Sequence, residues 1–230
     1  MFGENLNTKL LFWGIDIMKK FMILFIFVSL LIGYYLLEYQ STIDVSQINS
    51  EIPIGEITKD TQIEQTFLAK VNNLSAIQVF FATYNRINTS NLEFFLFDET
   101  NKMYMNKRIN AKEIKDNNFL NLEFPKISNS KNKKFRLIIK SDGTAGNSVT
   151  IWSTHNSSYN DGELFINGDR TGGDIKFQTL NTTRRFDKLI ILIGKFPVNP
   201  IITILLCIGL YTTFFIILYS IFFSNRSEDS

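Results

Sequence analysis

Cysteine is nearly absent. The 230 residues hold one, Cys207. No disulfide forms within the chain, so any outer domain must be held by its own core. Histidine is as scarce, with His155 alone. A zinc site needs three or four His, Cys or carboxylate ligands, and this chain offers one imidazole. Cys207 sits inside an apolar run, away from the HNSSYND segment around His155, which excludes a Cys–His nucleophile pair. A Ser–His–Asp triad is not excluded by count, but no G-x-S-x-G elbow accompanies it. His155 therefore reads as a loop residue. Excess charge of one sign is also missing. A formal net charge of +2 gives no pull toward nucleic acid or a strongly acidic partner.

What the chain has is two long apolar runs. Phe21–Leu37 carries no charge and is bounded by Lys19 and Lys20 on one side and Glu38 on the other. At about 1.5 Å per residue such a helix crosses most of a hydrocarbon layer of about 30 Å. A second run, Ile201–Phe223, lies near the far end. The expected organisation is a cytoplasmic or interfacial segment at 1–20, a first span at 21–39 and a polar connector at 40–52. An extracytoplasmic domain at 53–181, a juxtamembrane amphipathic segment at 182–200, a second span at 201–223 and a tail at 224–230 follow. The residues after the first run are bulky and offer no A-x-A-like cleavage pair, which favours an uncleaved signal anchor. The lysines before the first run place both termini in the cytoplasm and the middle outside. Against this, Arg184, Arg185, Lys188 and Lys195 precede the second run on the proposed outer side. Long translocated segments obey the charge rule weakly. The lipid bilayer is thus the first expected partner.

The middle segment alternates with period two. Ile77, Val79 and Phe81 share one face, as do Leu92, Phe94 and Leu96, then Leu120, Leu122 and Phe124, then Phe135, Leu137 and Ile139. Val149 with Ile151, Leu164 with Ile166 and Ile175 with Phe177 continue the pattern. Turn chemistry separates the runs at 141–147, 159–162, 167–169 and 171–174. Adding strands at Ile54–Ile57 and Gln62–Leu68 predicts eight or nine short strands. Only Ala111–Asp116 reads as a helical turn. The expected fold is an all-β antiparallel sandwich of jelly-roll type, flanked by two transmembrane helices. Its core is expected to draw on Phe67, Phe81, Phe94, Phe124, Phe135, Trp152, Phe165 and Phe177. In RRFDKLIILIGKF, Phe186, Leu189, Ile190 and Ile193 fall at helical spacing beside four cations, which fits either an interfacial helix or a cap on the second run.

Two groups of residues have the chemistry of a site. Tyr84, Arg86 and Asn88 follow a predicted strand, and Trp152 and Tyr159 join them as aromatic faces. Rings that stack on sugars, with Arg and Asn reaching hydroxyls, would bind a glycan; the plain alternative is a strand end and a polar turn. Asp161, Glu163, Asp169 and Asp174 cluster in YNDGELFINGDRTGGD. Loop oxygens near glycine suit a structural calcium ion, although the spacing matches no EF-hand. The same residues are ordinary turn formers. No other cofactor is indicated. N-x-S/T sequons stand at Asn73, Asn88, Asn156 and Asn181.

The stretch QTFLAKVNNLSAIQVFFATYNRINTSNLEFFLF, with NSVTIW, GELFING and GDIKFQTL after it, resembles a β-sandwich domain inserted in bacterial and archaeal envelope membrane proteins. Those hosts are often polytopic and resemble lipid-linked-sugar glycosyltransferases. The resemblance covers roughly half the chain, Ile54–Leu180. It implies a jelly-roll fold similar to galactose-binding modules. The multi-span catalytic body of those hosts is absent from this sequence, so neither transferase activity nor a catalytic residue carries over. The expected function is non-enzymatic: binding an envelope glycan or docking a membrane glycosyltransferase. One alternative is an accessory or chain-length-type subunit of polysaccharide assembly, a class whose outer domains are largely helical. Another is a glycan-active enzyme pairing Glu163 with Asp161 or Asp174.

Overall fold

The computed structural model describes residues 6–195 and 199–224. Pro197 and the tail beyond Ser224 lie outside the described residues. The chain divides into two compact units. One is Ser41–Thr182, and the other gathers the flanking residues 1–40 and 183–230.

The first unit is a two-sheet β-sandwich. One sheet contains β1 (Tyr39–Gln47), β2 (Ile52–Pro53), β4 (Leu74–Ala82), β7 (Asn118–Ile127), β9 (Thr150–Ser153) and β12 (Phe177–Arg184). Its order is β1-β12-β4-β9-β2, with β7 also pairing β4. The other sheet contains β3 (Gln62–Leu68), β5 (Asn91–Asp98), β6 (Met103–Asn110), β8 (Lys134–Ser141), β10 (Leu164–Ile166) and β11 (Asp169–Arg170). Its order is β11-β10-β3-β8-β5-β6.

The alternation explains the layers. Ile77, Val79 and Phe81 are buried on β4, and Leu92, Phe94 and Leu96 on β5. Rings from the two sheets meet between them. Phe81 and Phe94 stand 6.1 Å apart edge to face, and Phe67 and Phe177 stand 5.9 Å apart. Five phenylalanines (Phe67, Phe81, Phe94, Phe135 and Phe177) are fully buried, each stabilising the fold by about 1.5–3 kcal/mol. Two of the expected core rings are elsewhere. Trp152 and Phe165 are only half-buried, because each follows an inward residue, Ile151 and Leu164, and so falls on the outer parity.

The turn signals hold locally. Asn167 and Gly168 both have positive φ, 55° and 89°, and close the two-residue hairpin that pairs Ile166 with Asp169. The helical turn is shorter than expected. It is a 3-10 turn at Ala111–Glu113, closed by a capping box between Asn110 and Glu113. The connector at 40–52 is not a free linker. It contains β1 and β2, and no strand occupies Ile54–Ile57. Its polar composition hid an edge strand in which only Val45 and Gln47 are buried, with the Val45 amide donating to Thr179 Oγ1 at 3.0 Å.

The second unit is helical: α1 (Leu6–Leu37), α2 (Arg185–Ile193) and α3 (Pro200–Ser224). The expected break before residue 21 is absent. One helix runs through it, with Lys20 and Asp16 paired at 2.7 Å one turn apart. Arg185 ties α2 to the end of α1. It pairs with Glu38, its amide donates to the Glu38 carbonyl at 3.1 Å, and its guanidinium lies 4.1 Å from the Tyr35 ring centre. Phe25 and Tyr211 bring α1 and α3 together, with rings 4.9 Å apart. Among the described residues alone, no helix is long and apolar enough to cross a membrane. Read as sequence, α1 still contains the whole uncharged run Phe21–Leu37.

Candidate functional site

The outer face of the second sheet carries an open groove of about 540 Å³, within the range of small-ligand sites. Strand parity sets its floor. Inward Ile63, Gln65 and Phe67 leave Glu64, Thr66 and Leu68 facing out from β3. Register places Thr66 opposite Arg136 and Leu68 opposite Lys134 on β8, with Phe165 of β10 opposite Glu64. All six line the groove.

Two loops form the walls. At the β5–β6 turn, the buried Asp98 carboxylate accepts from the Thr100 hydroxyl at 2.6 Å and the Tyr104 hydroxyl at 3.0 Å. It also accepts from the amides of Thr100 and Lys102, at 2.9 and 3.1 Å. These donors, the Thr100 hydroxyl first, hold its pKa below the usual carboxylate value. Opposite lies the 160–163 loop, clamped to β3. The Glu163 amide donates to Thr66 Oγ1 at 2.8 Å, and the Thr66 amide returns to the Glu163 carbonyl at 2.9 Å. Gly162 makes this approach possible, because a Cβ there would stand 2.0 Å from the Thr66 carbonyl oxygen.

Three carboxylates of the groove are in ion pairs. Glu163 meets Arg170 at 2.8 Å, Asp161 meets Lys70 at 3.2 Å, and Glu64 faces the Arg136 Nε at 3.8 Å. Arg136 also donates from Nη2 to Asn101 at 2.9 Å, and its guanidinium lies 5.6 Å from the Phe97 ring centre. Phe97 in turn stacks near Phe95, at 6.4 Å and 21°. The arrangement is a half-open trough of fixed donors and acceptors with rings on its floor and flank. It can hold a polar, ring-shaped ligand.

The sequence-derived carboxylate cluster does not converge. Asp174 is fully buried. Its Oδ2 accepts from Ser157 Oγ and from the amides of Ser158 and Tyr159, each at 3.0 Å, and its Oδ1 accepts from Gln65 at 3.2 Å. Asp161 and Glu163 belong to the groove wall, and Asp169 is exposed on β11. Among the described residues, no three His, Cys, Asp or Glu side chains gather to hold a metal ion.

The proposed ligand group separates too. Tyr159 is a buried support. Its hydroxyl accepts from the Leu68 amide at 3.0 Å and donates to the Leu68 carbonyl at 3.3 Å. Burial pushes its pKa up to about 12. Trp152 lies on the outer face of the first sheet, its Nε1 donating to Asn117 at 2.9 Å. Tyr84 and Asn85, with φ of 58° and 54°, form a tight turn closed by the Arg86 amide donating to the Thr83 carbonyl at 3.2 Å. Arg86 stacks on Tyr84, pairs with Glu56 and donates to the Ser148 carbonyl. Asn88 is buried and donates to the Thr83 carbonyl at 3.2 Å. None of these residues lines the groove on the second sheet.

The sequence did carry a sign of the groove. In Leu92-Glu93-Phe94-Phe95-Leu96-Phe97 the apolar residues occupy both parities. A strand with water on one face needs only one apolar face, and Phe95 and Phe97 are surplus rings on the outer parity of β5, beside the groove and not in its lining.

No protein family and no curated protein matches the chain. Among solved structures it is similar to a family two carbohydrate esterase from Cellvibrio japonicus, at 11% identity and a TM-score of 0.26, covering 64% of this chain and 34% of that one. It is similar to a xylanase from Cellvibrio japonicus in complex with xylopentaose, at 11% identity and a TM-score of 0.22, covering 63% and 22%. A structure of infectious bursal disease virus, Gx strain, follows at 9% identity and a TM-score of 0.23, covering 64% and 32%. The chain spans about a third or less of the length of these structures. Likenesses this distant carry no argument about function.

Proposed function

We propose that this chain is a membrane-anchored, non-enzymatic glycan-binding module whose site is the groove on the second sheet. The observation that carries this reading is the groove itself. Fixed polar groups and the Phe165 ring line a volume that fits one or two sugar residues, and the wall carboxylates Asp98, Asp161 and Glu163 already have hydroxyl or cation partners. Paired carboxylates recognise hydroxyls well and make poor general acids or nucleophiles. An envelope glycan is the expected ligand.

Anchoring is supported by the flanking helices. Ile23 and Leu30 on α1 are 64% and 67% exposed, and Ile201 and Leu210 on α3 are 66% and 68% exposed. Apolar surface on that scale needs cover, and the uncharged run of α1 is long enough for lipid to supply it. On this reading the two helices are spans, both termini are cytoplasmic and the jelly-roll-like sandwich is outside. A chain-length-type regulator would need a largely helical outer domain, and Ser41–Thr182 is all β apart from one 3-10 turn.

The test uses the full-length chain, solubilised in detergent, on an array of envelope glycans. Saturable binding that is lost when Arg136 and Phe165 are both replaced by alanine is the expected result. An array with no signal above a denatured control sinks the proposal.

A further inference from the structure

We infer that the Glu64–Arg136 pair reads the vicinal diol of an uncharged sugar, and that the groove rejects anionic polymers. This rests on the glycan-binding reading and narrows it to a ligand class.

Two observations lead there. The first is the pair itself. Glu64 and Arg136 face each other at 3.8 Å across neighbouring strands, and both line the groove. An ionised carboxylate only accepts hydrogen bonds, and a guanidinium only donates them through five N–H groups. Adjacent hydroxyls on a sugar ring can do both. One donates to Glu64 while its neighbour accepts from Arg136, and no charge on the ligand is needed. The pair is also held in place before any ligand arrives. Asn101 accepts from Arg136 Nη2 at 2.9 Å, and the Phe97 ring lies 5.6 Å from the guanidinium carbon. Glu64 keeps 19% of its side chain exposed and Arg136 36%, so both remain within reach of a ligand. Fixed partners lose little entropy on binding, which favours selectivity.

The second observation is the charge around the pair. Glu64, Asp98, Glu99, Asp161 and Glu163 line the groove, against Lys134 and Arg136. Lys70 and Arg170 compensate Asp161 and Glu163 from outside. The balance is slightly negative even with those two cations counted. A uronate or phosphate entering here would face carboxylates on both walls. Like charges placed this close cost binding energy, and of the two cations that line the groove Arg136 is already engaged by Glu64 and Asn101.

The experiment extends the array with three probes: neutral hexose oligosaccharides, the same glycans after periodate cleavage of their vicinal diols, and uronate polymers. The full-length wild-type chain should bind the first and neither of the others. Glu64→Gln keeps the shape and removes the charged acceptor, so it should weaken neutral-glycan binding about tenfold or more while the thermal unfolding midpoint stays within a few degrees. If oxidised glycans bind as well as intact ones, or uronates bind better than neutral sugars, the diol assignment is overturned and glycan binding survives. Unchanged affinity in the Glu64→Gln variant overturns it as well. If no probe binds the wild type, the glycan reading itself falls and this inference with it.

Discussion

At one end of the sandwich, Arg86 stacks on Tyr84, pairs with Glu56 and donates to the Ser148 carbonyl. On the face of the second sheet, Arg136 lies by Phe97, faces Glu64 and donates to Asn101. The two arginines have the same kinds of neighbour. Around Arg86 those neighbours come from loops that also bind one another. Asn147 accepts from the Thr89 amide at 2.7 Å, and Glu56 accepts from the Gly146 amide at 2.9 Å. Around Arg136, Glu64 and Asn101 border open volume. Residue type identifies a group able to recognise a ligand. Whether its capacity is used internally or left available depends on the surroundings.

The largest effect should come from removing the support beneath the groove. Asp174→Ala would strip four hydrogen bonds from a fully buried carboxylate and leave the Ser158 and Tyr159 amides without their acceptor. Hydrogen bonds to charged groups contribute about 1.5–3 kcal/mol each, and they are not additive within one network. A loss of about 3–5 kcal/mol in unfolding free energy is expected, measured by denaturant titration. A loss below about 1 kcal/mol would mean that the loop above the groove is not held as described.

Gly162→Ala sharpens the contrast at smaller cost. The new Cβ would meet the Thr66 carbonyl oxygen, so the 160–163 wall must move away from β3. Overpacking of this kind costs about 1–3 kcal/mol. Glycan affinity should fall with it, because the moved wall carries Asp161 and Glu163. The same stability loss with full affinity would place the ligand elsewhere.

The sandwich was legible because its core follows strict alternation, and β4, β5 and β8 each bury the parity the sequence announced. The edge strand β1 was not, because a strand that buries little has little to alternate. The groove was half legible. Its floor residues looked like an ordinary solvated face, since Glu64, Arg136 and Lys134 are what a wet strand carries. The surplus rings Phe95 and Phe97 broke the pattern, but they stand beside the groove and not in its lining. The carboxylates in the 161–174 segment looked alike in sequence. Topology sent Asp174 inward and Asp169 to a hairpin edge, a separation that depends on pairings far along the chain.

The smallest expected effect concerns acid, and it tests the loop end directly. Three carboxylates there have pKa values below their ordinary range. Glu56 is lowered chiefly by the Gly146 amide and then by Arg86, Asp116 by the Thr83 amide, and Asp142 by the Asn91 side chain and then its amide. A depressed folded-state pKa means the unfolded chain takes up protons first as pH falls. The stability these groups contribute is therefore complete above the ordinary carboxylate pKa, near 4, and is lost as pH drops through the folded values. Asp44 acts in the opposite sense. Burial raises its pKa, so the folded state gains a proton there first and recovers a little stability on acidification. With Asp98 at the groove wall also held low, four lowered groups against one leave a net loss, confined to pH below about 4. Asp116→Asn should lower stability slightly at neutral pH and flatten the acid limb, as followed by thermal unfolding from pH 7 to 3. Glu56 keeps its charge, and with it the contact to Arg86, until pH falls below the ordinary carboxylate range. If the loop end instead loosens while the pH is still well above 4, its carboxylates are not held as described.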